Sequence, residues 1–391
     1  MRIVRIIDGY SYPSARGVNI FVHVLSRELA KRGHQTIIYS TALKEREHHL
    51  SNMIEGYTVK NYKPLVRVWS FPLSPRMLAD LAQEKADIIH VHGYRAIHSE
   101  LAAWLRTLRN IPFVLSPHGS LLAYRYLSTS RLEKALHVFY DALTAKFVLR
   151  KAAFIAVTSA QEAREAAIVG ASEDKIRVMH HAEDLTLLTH SVVQNQPSRT
   201  RRRLIFVGRI SSAMNLATLI RAFNLASREV SDAELLLVGP NFGHKHIGER
   251  MDIKQELLDL CQKLGIEDRV NFTGAVFGAE LGKLFQTSDV FIFLCPYGNY
   301  GRTHIEAAAC GKPIISTPVG IAPDLVGNNE GGFLVDPYAI SGIAQAIIAL
   351  LSNTTLYQAK QKAILERVKK FLDVKRMVDE YEKLYEEVIK L

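Results

Sequence analysis

Residues 290–315, VFIFLCPYGNYGRTHIEAAACGKPII, carry the pattern that decides the fold. An apolar run leads into a turn with Gly298 and Gly301, a helical segment around Glu306 follows, and a second apolar run closes the stretch. Short, continuously apolar runs that flank a helix are typical of parallel strands covered on both faces. The stretch therefore predicts one strand–helix–strand repeat of an α/β sheet.

The same alternation extends in both directions from this stretch. A helix is predicted from Val18 to Arg32, where Gly33 ends it. The segment Asn195–Arg203, NQPSRTRRR, is polar and basic and is typical of a linker. We therefore predict two doubly wound, Rossmann-like parallel-sheet domains, at residues 1–195 and 196–372, and an amphipathic helix at 373–391. Two such domains facing each other would hold ligands in an interdomain cleft. The strand-like runs are MRIVRII, QTIIYST, ADIIHVHG, IPFVLSPHG and AAFIAVTS in the first half, and RLIFVGR, AELLLVGP, RVNFTG, DVFIFLCP and PIISTPVG in the second.

The bulk composition limits the classes of function. The 391 residues have a formal net charge of +10 and contain three cysteines, without disulfide or zinc spacing. Such cysteine usage is typical of a reducing compartment, and no apolar run reaches the ~20 residues of a membrane span. We therefore expect a cytoplasmic protein. The charge fits phosphorylated substrates or anionic lipid, whereas no nucleic-acid-binding motif and no convergent set of metal ligands is present.

A candidate nucleotide site lies where the strands of the second half end. Arg209 follows the strand in FVGRI, and Gly298, Gly301 and Thr303 precede a helix whose first turn is predicted to contain Glu306. The N–H groups at a helix N-terminus attract anions, an arginine can clamp a diphosphate, and an acidic residue can bind ribose hydroxyls. Each residue alone also fits a turn, a surface charge or a helix-dipole partner. Together they indicate nucleotide binding.

Several ordered motifs resemble the retaining GT-B glycosyltransferases of family 4. They are LSRELAKRGHQTIIY, ADIIHVHG, SPHGS, FVGRI, the EAAACGKP run and GGFLVDP, which together extend over nearly the whole chain. The resemblance implies a GT-B fold whose C-terminal domain binds a nucleoside-diphosphate sugar and whose N-terminal domain binds the acceptor. It also implies transfer without a metal, because cationic side chains and helix N-termini stabilise the leaving diphosphate. The last helix would cross back to the N-terminal domain.

The resemblance assigns roles to individual residues. His118, in SPHGS, matches the histidine near the transferred sugar and is the catalytic candidate, although a strand-end histidine without a catalytic role fits as well. Asp184 matches the last residue of the family's N-G-V-D segment. The positions implied to bind the nucleotide and its diphosphate are Gly17, Arg209, Tyr300, Gly301, Arg302, Thr303 and Glu306.

The chain departs from the family pattern on the donor side. Met214 stands where the family has a lysine of the diphosphate clamp, and methionine cannot donate a hydrogen bond. Gly298 stands where the family has the first glutamate of its E-x7-E motif, which contacts the donor sugar. Arg16, Phe21 and the segment 181–184, HAED, are further departures. Restoring lysine at 214 and glutamate at 298 together is expected to raise donor affinity or turnover.

The predicted function is retaining transfer of a sugar from a UDP- or GDP-sugar, GDP-mannose among them, to a hydroxyl of a glycan or lipid-linked glycan. A second possibility is a degenerate or engineered member that binds nucleotide or sugar weakly without efficient turnover. A phosphorylase or epimerase on the same fold is disfavoured, because no cofactor lysine and no additional donor-side carboxylates are found. The basic, amphipathic segment 131–154 fits either a helix packed on the N-terminal sheet or a peripheral contact with an anionic inner membrane.

Overall fold

The computed structural model describes residues 1–12, 17–41, 51–68, 71–95, 97–122, 131–182, 185, 202–241, 253–298 and 300–391. The chain forms two compact units. The first unit consists of Met1–Ala182 and Asp373–Leu391, and the second of Glu183–Leu372. The sequence-based division lies at 195/196, and the residues from 186 to 201 are outside the described ranges. Arg16 and Asp184 also lie outside them.

The first unit is built on a sheet whose strands are parallel except for β3, which runs antiparallel to β4. The strand order is β10-β9-β8-β7-β1-β2-β4-β3. The strands β2, β3 and β4 lie on one side of β1 and the strands β7 to β10 on the other, which places a topological switch point between β1 and β7. A separate pair is formed by β5 and β6. The strands are β1 (Arg2–Asp8), β2 (Gln35–Thr41), β3 (Ser51–Ile54), β4 (Tyr57–Tyr62), β5 (Val66–Val68), β6 (Phe71–Leu73), β7 (Ile88–His92), β8 (Phe113–Ser116), β9 (Phe154–Val157) and β10 (Ile176–Val178).

Helices cover both faces of this sheet. One face packs against α1 and α14, and Met377, Tyr381 and Tyr385 of α14 are buried beside residues of α1. The last helix therefore belongs to the first unit. A π-helical turn, Asp141–Ala145, joins α4 to α5. The helices of this unit are α1 (Gly17–Lys31), α2 (Pro75–Gln83), α3 (Ile97–Arg109), α4 (Arg131–Tyr140), α5 (Lys146–Lys151), α6 (Ala160–Val169) and α14 (Val374–Ile389).

The second unit has an all-parallel sheet in the order β13-β12-β11-β14-β15-β16. The strands β12 and β13 lie on one side of β11, and β14, β15 and β16 lie on the other. The topological switch point is therefore between β11 and β14. The strands are β11 (Arg202–Val207), β12 (Ala233–Val238), β13 (Val270–Gly274), β14 (Val290–Phe293), β15 (Ile314–Ser316) and β16 (Gly332–Leu334). The helices are α7 (Leu216–Glu229), α8 (Ile253–Leu264), α9 (Gly278–Gln286), α10 (Arg302–Ala309), α11 (Ala322–Val326), α12 (Ile340–Ser352) and α13 (Thr354–Leu372).

The sequence-based fold class is confirmed, since both units are Rossmann-like α/β sheets. Cys261, Cys295 and Cys310 are free and buried. Within the described ranges, no single helix is long and apolar enough to cross a bilayer. The consecutive helices α12 and α13 together have the length and apolar composition of a span, but they are bent by 97° where they join. Apolar side chains of α12 lie in the core of the second unit.

Candidate functional site

The candidate nucleotide residues of the second unit meet at its switch point. Arg209 follows β11, and the segment from Gly298 to Glu306 follows β14, the strand paired with β11. Because the two strands are parallel, their carboxyl ends lie at the same edge of the sheet, and ligands of such sheets bind there. Arg209 is exposed. Its positive charge partly offsets the rise that burial causes in the pKa of Cys295, which follows β14.

The loop between β14 and α10 is fastened to its neighbours by hydrogen bonds. The backbone N–H of Ile321 donates to the carbonyl of Tyr300 at 3.0 Å, and the Cys295 thiol donates to the carbonyl of Tyr297 at 2.6 Å. The Thr317 hydroxyl donates to the carbonyl of Cys295. The Tyr300 ring packs on the apolar core of this unit. The loop is therefore held on both sides by protein contacts.

Gly301 turns the loop into α10. Its φ is 95°, in the left-handed region, and it is the residue that precedes the helix. A Cβ here would lie 3.0 Å from Nδ1 of the buried His304 and 3.3 Å from Cγ1 of Ile321, so a side chain would be strained as well as crowded. Thr303 is half-buried in the first turn of the helix. The N-terminus of an eight-residue helix thus opens at the carboxyl edge of the sheet, where it favours an anion.

Arg302 and Glu306 form an ion pair on this helix. Nε of Arg302 lies 3.2 Å from Oε1 of Glu306, and the glutamate side chain is only 10% exposed. Burial raises the pKa of Glu306, and the positive charge of Arg302 acts against that rise. Glu306 is the fifth residue of α10, so its predicted place in the first turn is wrong, because the helix begins at Arg302. The pair still places a cation and a carboxylate acceptor side by side near the start of α10, one suited to phosphate and the other to hydroxyl groups.

Met214 is a core residue rather than a side chain facing the site. It is 8% exposed and belongs to the hydrophobic cluster beneath α7 and α12. The next residue, Asn215, has φ 55° and precedes α7. Its Nδ2 donates to the carbonyls of Leu294 at 3.3 Å and Pro337 at 2.6 Å. Asn215 therefore ties the loop after β11 to the loop after β14, a role that sequence reasoning missed although asparagine is enriched at such positions.

Gly298 is packed closely against a neighbouring turn. A Cβ at this position would lie 2.9 Å from Cγ2 and 3.3 Å from Cβ of Val319. Val319 is 6% exposed, and its branched side chain has few alternative rotamers. Val319 thus occupies the space next to Gly298. A larger residue at position 298 can be accommodated only if the turn that carries Val319 shifts.

The first unit carries the remaining candidates at the carboxyl edge of its own sheet. Gly17 is the exposed first residue of α1, which follows β1. His118 follows β8 with φ 52°, and burial lowers its pKa to about 3. The backbone N–H of Gly119 donates to the buried carboxylate of Glu162, which also accepts from the N–H and the hydroxyl of Thr158.

Glu162 was not predicted, although its sequence signal is visible. It stands three residues after Ser159, and Ser159 Oγ accepts from the Glu162 N–H at 3.2 Å. A serine followed by glutamate at this spacing is the signature of a helix N-terminus. The side chain reaches back past the cap to the His118–Gly119 turn and fixes it.

Among the described residues, no group of three or more histidine, cysteine, aspartate or glutamate side chains is arranged to hold a metal ion. His90, His92, His118 and His181 do lie together in the first unit, in ring-to-ring contact. Their neighbours include the guanidinium of Arg5. A fixed positive charge next to these rings opposes cation binding.

The chain matches the models of two protein families, one in each half of its sequence. "Glycosyltransferase Family 4" matches residues 15–187, and "Glycosyl transferases group 1" matches residues 189–370. An N-acetyl-alpha-D-glucosaminyl L-malate synthase from Bacillus anthracis is 25% identical over 97% of this chain and 96% of its own length. A D-inositol 3-phosphate glycosyltransferase from Mycobacteroides abscessus is 27% identical over 86% of this chain and 77% of its own length.

A solved structure shares the fold over the full length. HepE of Anabaena, crystallised with UDP and glucose, superimposes with a TM-score of 0.74 at 18% identity, covering 99% of this chain and 100% of HepE. At this identity the likeness concerns the arrangement of strands and helices. The 99% of this chain that is covered includes both sheets described above.

Proposed function

The chain belongs to the GT-B, family-4 glycosyltransferases, and from that premise we propose that it moves a sugar from UDP to a hydroxyl acceptor with retention of anomeric configuration. The observation that carries this proposal is the switch-point edge of the second unit. There Arg209 follows β11, and the Gly301-capped helix with its Arg302–Glu306 pair follows β14, the parallel strand next to β11. The choice of UDP is supported by HepE, whose structure contains UDP and glucose.

Each group at this edge has a proposed task. The N-terminus of α10, Arg209 and Arg302 stabilise the negative charge that develops on the leaving diphosphate. Glu306 accepts hydrogen bonds from the ribose hydroxyls. Arg302 supplies the second cation that the family obtains from the lysine replaced here by Met214. We propose that transfer needs no metal, because these cations and N–H groups take its place.

The acceptor is proposed to be a glycan or lipid-linked glycan at the cytoplasmic surface of a membrane. Leu132, Val138, Phe139 and Leu143, on α4 and the π-helical turn, are between 54% and 69% exposed. Exposed basic residues accompany them, namely Arg131, Lys146, Arg150 and Lys151. Apolar side chains with flanking cations are suited to an anionic bilayer surface. The relatives named for L-malate and inositol phosphate make a small anionic alcohol the alternative acceptor to test.

Calorimetric titration of UDP, GDP and ADP tests the donor site. We expect micromolar binding of UDP, and a loss of roughly tenfold or more in Arg209→Gln, since a hydrogen bond to a charged group contributes about 1.5–3 kcal/mol. Arg228→Gln, an exposed arginine of α7, is the matched control. Product formation from UDP-sugars with a panel of acceptors then identifies the acceptor class, and NMR of the new glycosidic bond gives its anomeric configuration.

A second candidate is favoured by Met214 and Gly298, which replace two donor-side residues of the family. In that case the protein retains the fold and binds nucleotide or sugar weakly without efficient turnover. Weak binding of a diphosphate without product from any UDP-sugar would support this candidate, whereas absence of binding for all three diphosphates at millimolar concentration would contradict the transferase proposal. Micromolar binding with turnover would exclude it.

The membrane contact is tested by co-sedimentation with vesicles. We expect binding to vesicles rich in phosphatidylglycerol and weaker binding to phosphatidylcholine alone. Replacing both Phe139 and Leu143 with serine should weaken binding, whereas Phe277→Ser, at a position 67% exposed in the second unit, should leave it unchanged. Equal binding of both variants would contradict this assignment.

A further inference from the structure

The first unit contains a fully buried arginine with no carboxylate partner among the described residues. Arg5, in the middle of β1, has no exposed surface. It faces β7, where His90 is its register partner. Its Nη1 lies 2.9 Å from Nδ1 of His90 and 3.5 Å from Nε2 of His92. Burying a cation is costly unless its donors are used. The two hydrogens on Nη1 match these two ring nitrogens, whereas Nε and Nη2 have no hydrogen-bond partner in the described part of the chain.

Arg5 determines which nitrogen of each ring carries a proton. A guanidinium has only donors and keeps its charge. His92 Nε2 must therefore present its lone pair to Arg5, and an N–H at that nitrogen would face another N–H. Neutral His92 consequently carries its proton on Nδ1, which lies 2.9 Å from Nε2 of His118. The His92 N–H donates to His118, so neutral His118 carries its own proton on Nδ1.

The surroundings keep the rings neutral. Burial lowers the pKa of His90 and of His92 well below the usual value, and the charge of Arg5 lowers both further. His118 is likewise lowered, to a pKa of about 3, by burial. Ser116 and Tyr385 hydrogen-bond to His90, and the rings of Tyr381 and His181 lie next to the cluster. The buried carboxylate of Glu162 accepts hydrogen bonds from Gly119 and Thr158.

The proton on His118 is left without an internal acceptor. Among the described residues, Nδ1 of His118 is buried and has no hydrogen-bond partner. A buried N–H without an acceptor is destabilising, so an oxygen atom brought to it is bound favourably. Sugar hydroxyl and ring oxygens are acceptors of this kind.

We propose that Arg5, acting through His92, holds His118 in the neutral tautomer with its proton on Nδ1, so that His118 donates a hydrogen bond to an oxygen of a sugar bound at the carboxyl edge of the first unit's sheet. Arg5 is then a positioning residue, and His118 neither accepts the acceptor's proton nor carries a charge during transfer. The proposal rests on the proposed function, which makes sugars the substrates of this chain.

Long-range ¹H–¹⁵N correlation spectra of the ¹⁵N-histidine-labelled full chain test the tautomer directly, without turnover. His118→Gln identifies the signals of His118. We expect the wild-type ring to be neutral at pH 7 with its proton on Nδ1. Arg5→Met should shift the population toward the Nε2 tautomer, whereas Arg5→Lys, which keeps a charged donor, should retain the wild-type state. Tyr385→Phe is the control, because Tyr385 contacts His90 and lies off the path to His118.

A wild-type His118 that is charged at pH 7, or neutral with its proton on Nε2, overturns the proposal. An unchanged tautomer in folded Arg5→Met overturns the role of Arg5. If Arg5→Met does not fold, as judged by near-ultraviolet circular dichroism, the wild-type and Arg5→Lys spectra still decide. In activity assays Arg5→Met should lower kcat by roughly 10- to 100-fold with UDP affinity unchanged. Failure of wild-type protein to bind UDP would refute the proposed function and leave the tautomer result standing.

Discussion

Gly298→Ala isolates the effect of a single methyl group at the position where the family has glutamate. The added Cβ would lie 2.9 Å from Cγ2 of Val319, closer than real Cβ contacts allow. The backbone at 298 is not in the left-handed region, so alanine is otherwise tolerated and by itself would stabilise by about 0.4–1 kcal/mol. Overpacking costs about 1–3 kcal/mol. We expect a net destabilisation of about 1–2 kcal/mol.

Urea and thermal unfolding measure this change. In a unit of this size, 1–2 kcal/mol corresponds to a fall in Tm of about 2–8 °C. Gly342→Ala is the matched control, because its Cβ would meet nothing closer than 3.7 Å and it lies within α12. That substitution should stabilise by about 0.5–1 kcal/mol.

The pairing with Val319 is tested by a double-mutant cycle. Val319→Ala removes the methyl groups that a Cβ at 298 would meet, so the double variant should be more stable than the sum of the single changes predicts, by about 1 kcal/mol or more. If Gly298→Ala is as stable as the wild type, or if the two substitutions are additive, the close contact does not determine what position 298 accepts.

Three further predictions concern charge. Arg302→Gln should weaken UDP binding, measured by calorimetry, roughly 10- to 100-fold. The loss should grow as the pH falls, because burial then raises the pKa of Glu306 without the opposing charge of Arg302 and the carboxylate takes up a proton more readily. A loss that does not change with pH would contradict this. Arg95→Gln should lower the free energy of unfolding by about 3–5 kcal/mol in urea, because it leaves the carboxylate of Asp141 unpaired in a largely buried setting, and a loss below about 1 kcal/mol would refute it. Burial lowers the pKa of His304 to about 3, so between pH 7 and pH 5 this imidazole takes up a proton in the unfolded chain, near pH 6.5, but not in the native state. The free energy of unfolding should therefore fall by about 2 kcal/mol from pH 7 to pH 5 on account of His304. His304→Gln should make the dependence of the unfolding free energy on pH shallower.

Much of the two central sheets, and the edge that carries the candidate nucleotide residues, follow from local sequence. Apolar runs predicted β1, β2, β7, β8 and β9 of the first unit and β11 to β15 of the second, but not β3 to β6 or β10. The helix α1 begins and ends one residue earlier than its predicted range, Val18 to Arg32. The pairing of Arg302 with Glu306 was also accessible, since residues four apart on a helix are neighbours. That Arg209, Arg302 and Glu306 bind a nucleotide stays a prediction, since the structure shows where they lie and does not test what they bind.

Contacts between distant segments could not be read from the sequence. Arg5 meets His90 across 85 residues, and the contact exists because β1 and β7 pair in one register. A shift of one residue would turn Arg5 to the other face of the sheet. The contact of Gly298 with Val319 depends in the same way on how two loops approach each other after β14 and β15. Composition and periodicity contain no information about either.

The two donor-side substitutions have different structural consequences, which bears on whether the site is disabled. Met214 has joined the core, while Arg302 provides a cation at the start of α10, so the switch-point edge still carries two arginines. Position 298, in contrast, is closed by Val319, and glutamate cannot be restored there without moving that turn. On the proposed function, charge for a diphosphate is therefore retained, whereas the side-chain contact to the sugar that the resemblance implies at position 298 is missing. It follows that UDP and its sugar conjugates should bind with similar affinity. A UDP-sugar that binds more than about tenfold tighter than UDP, a difference of about 1.4 kcal/mol, would show that other residues recognise the sugar in place of the missing glutamate.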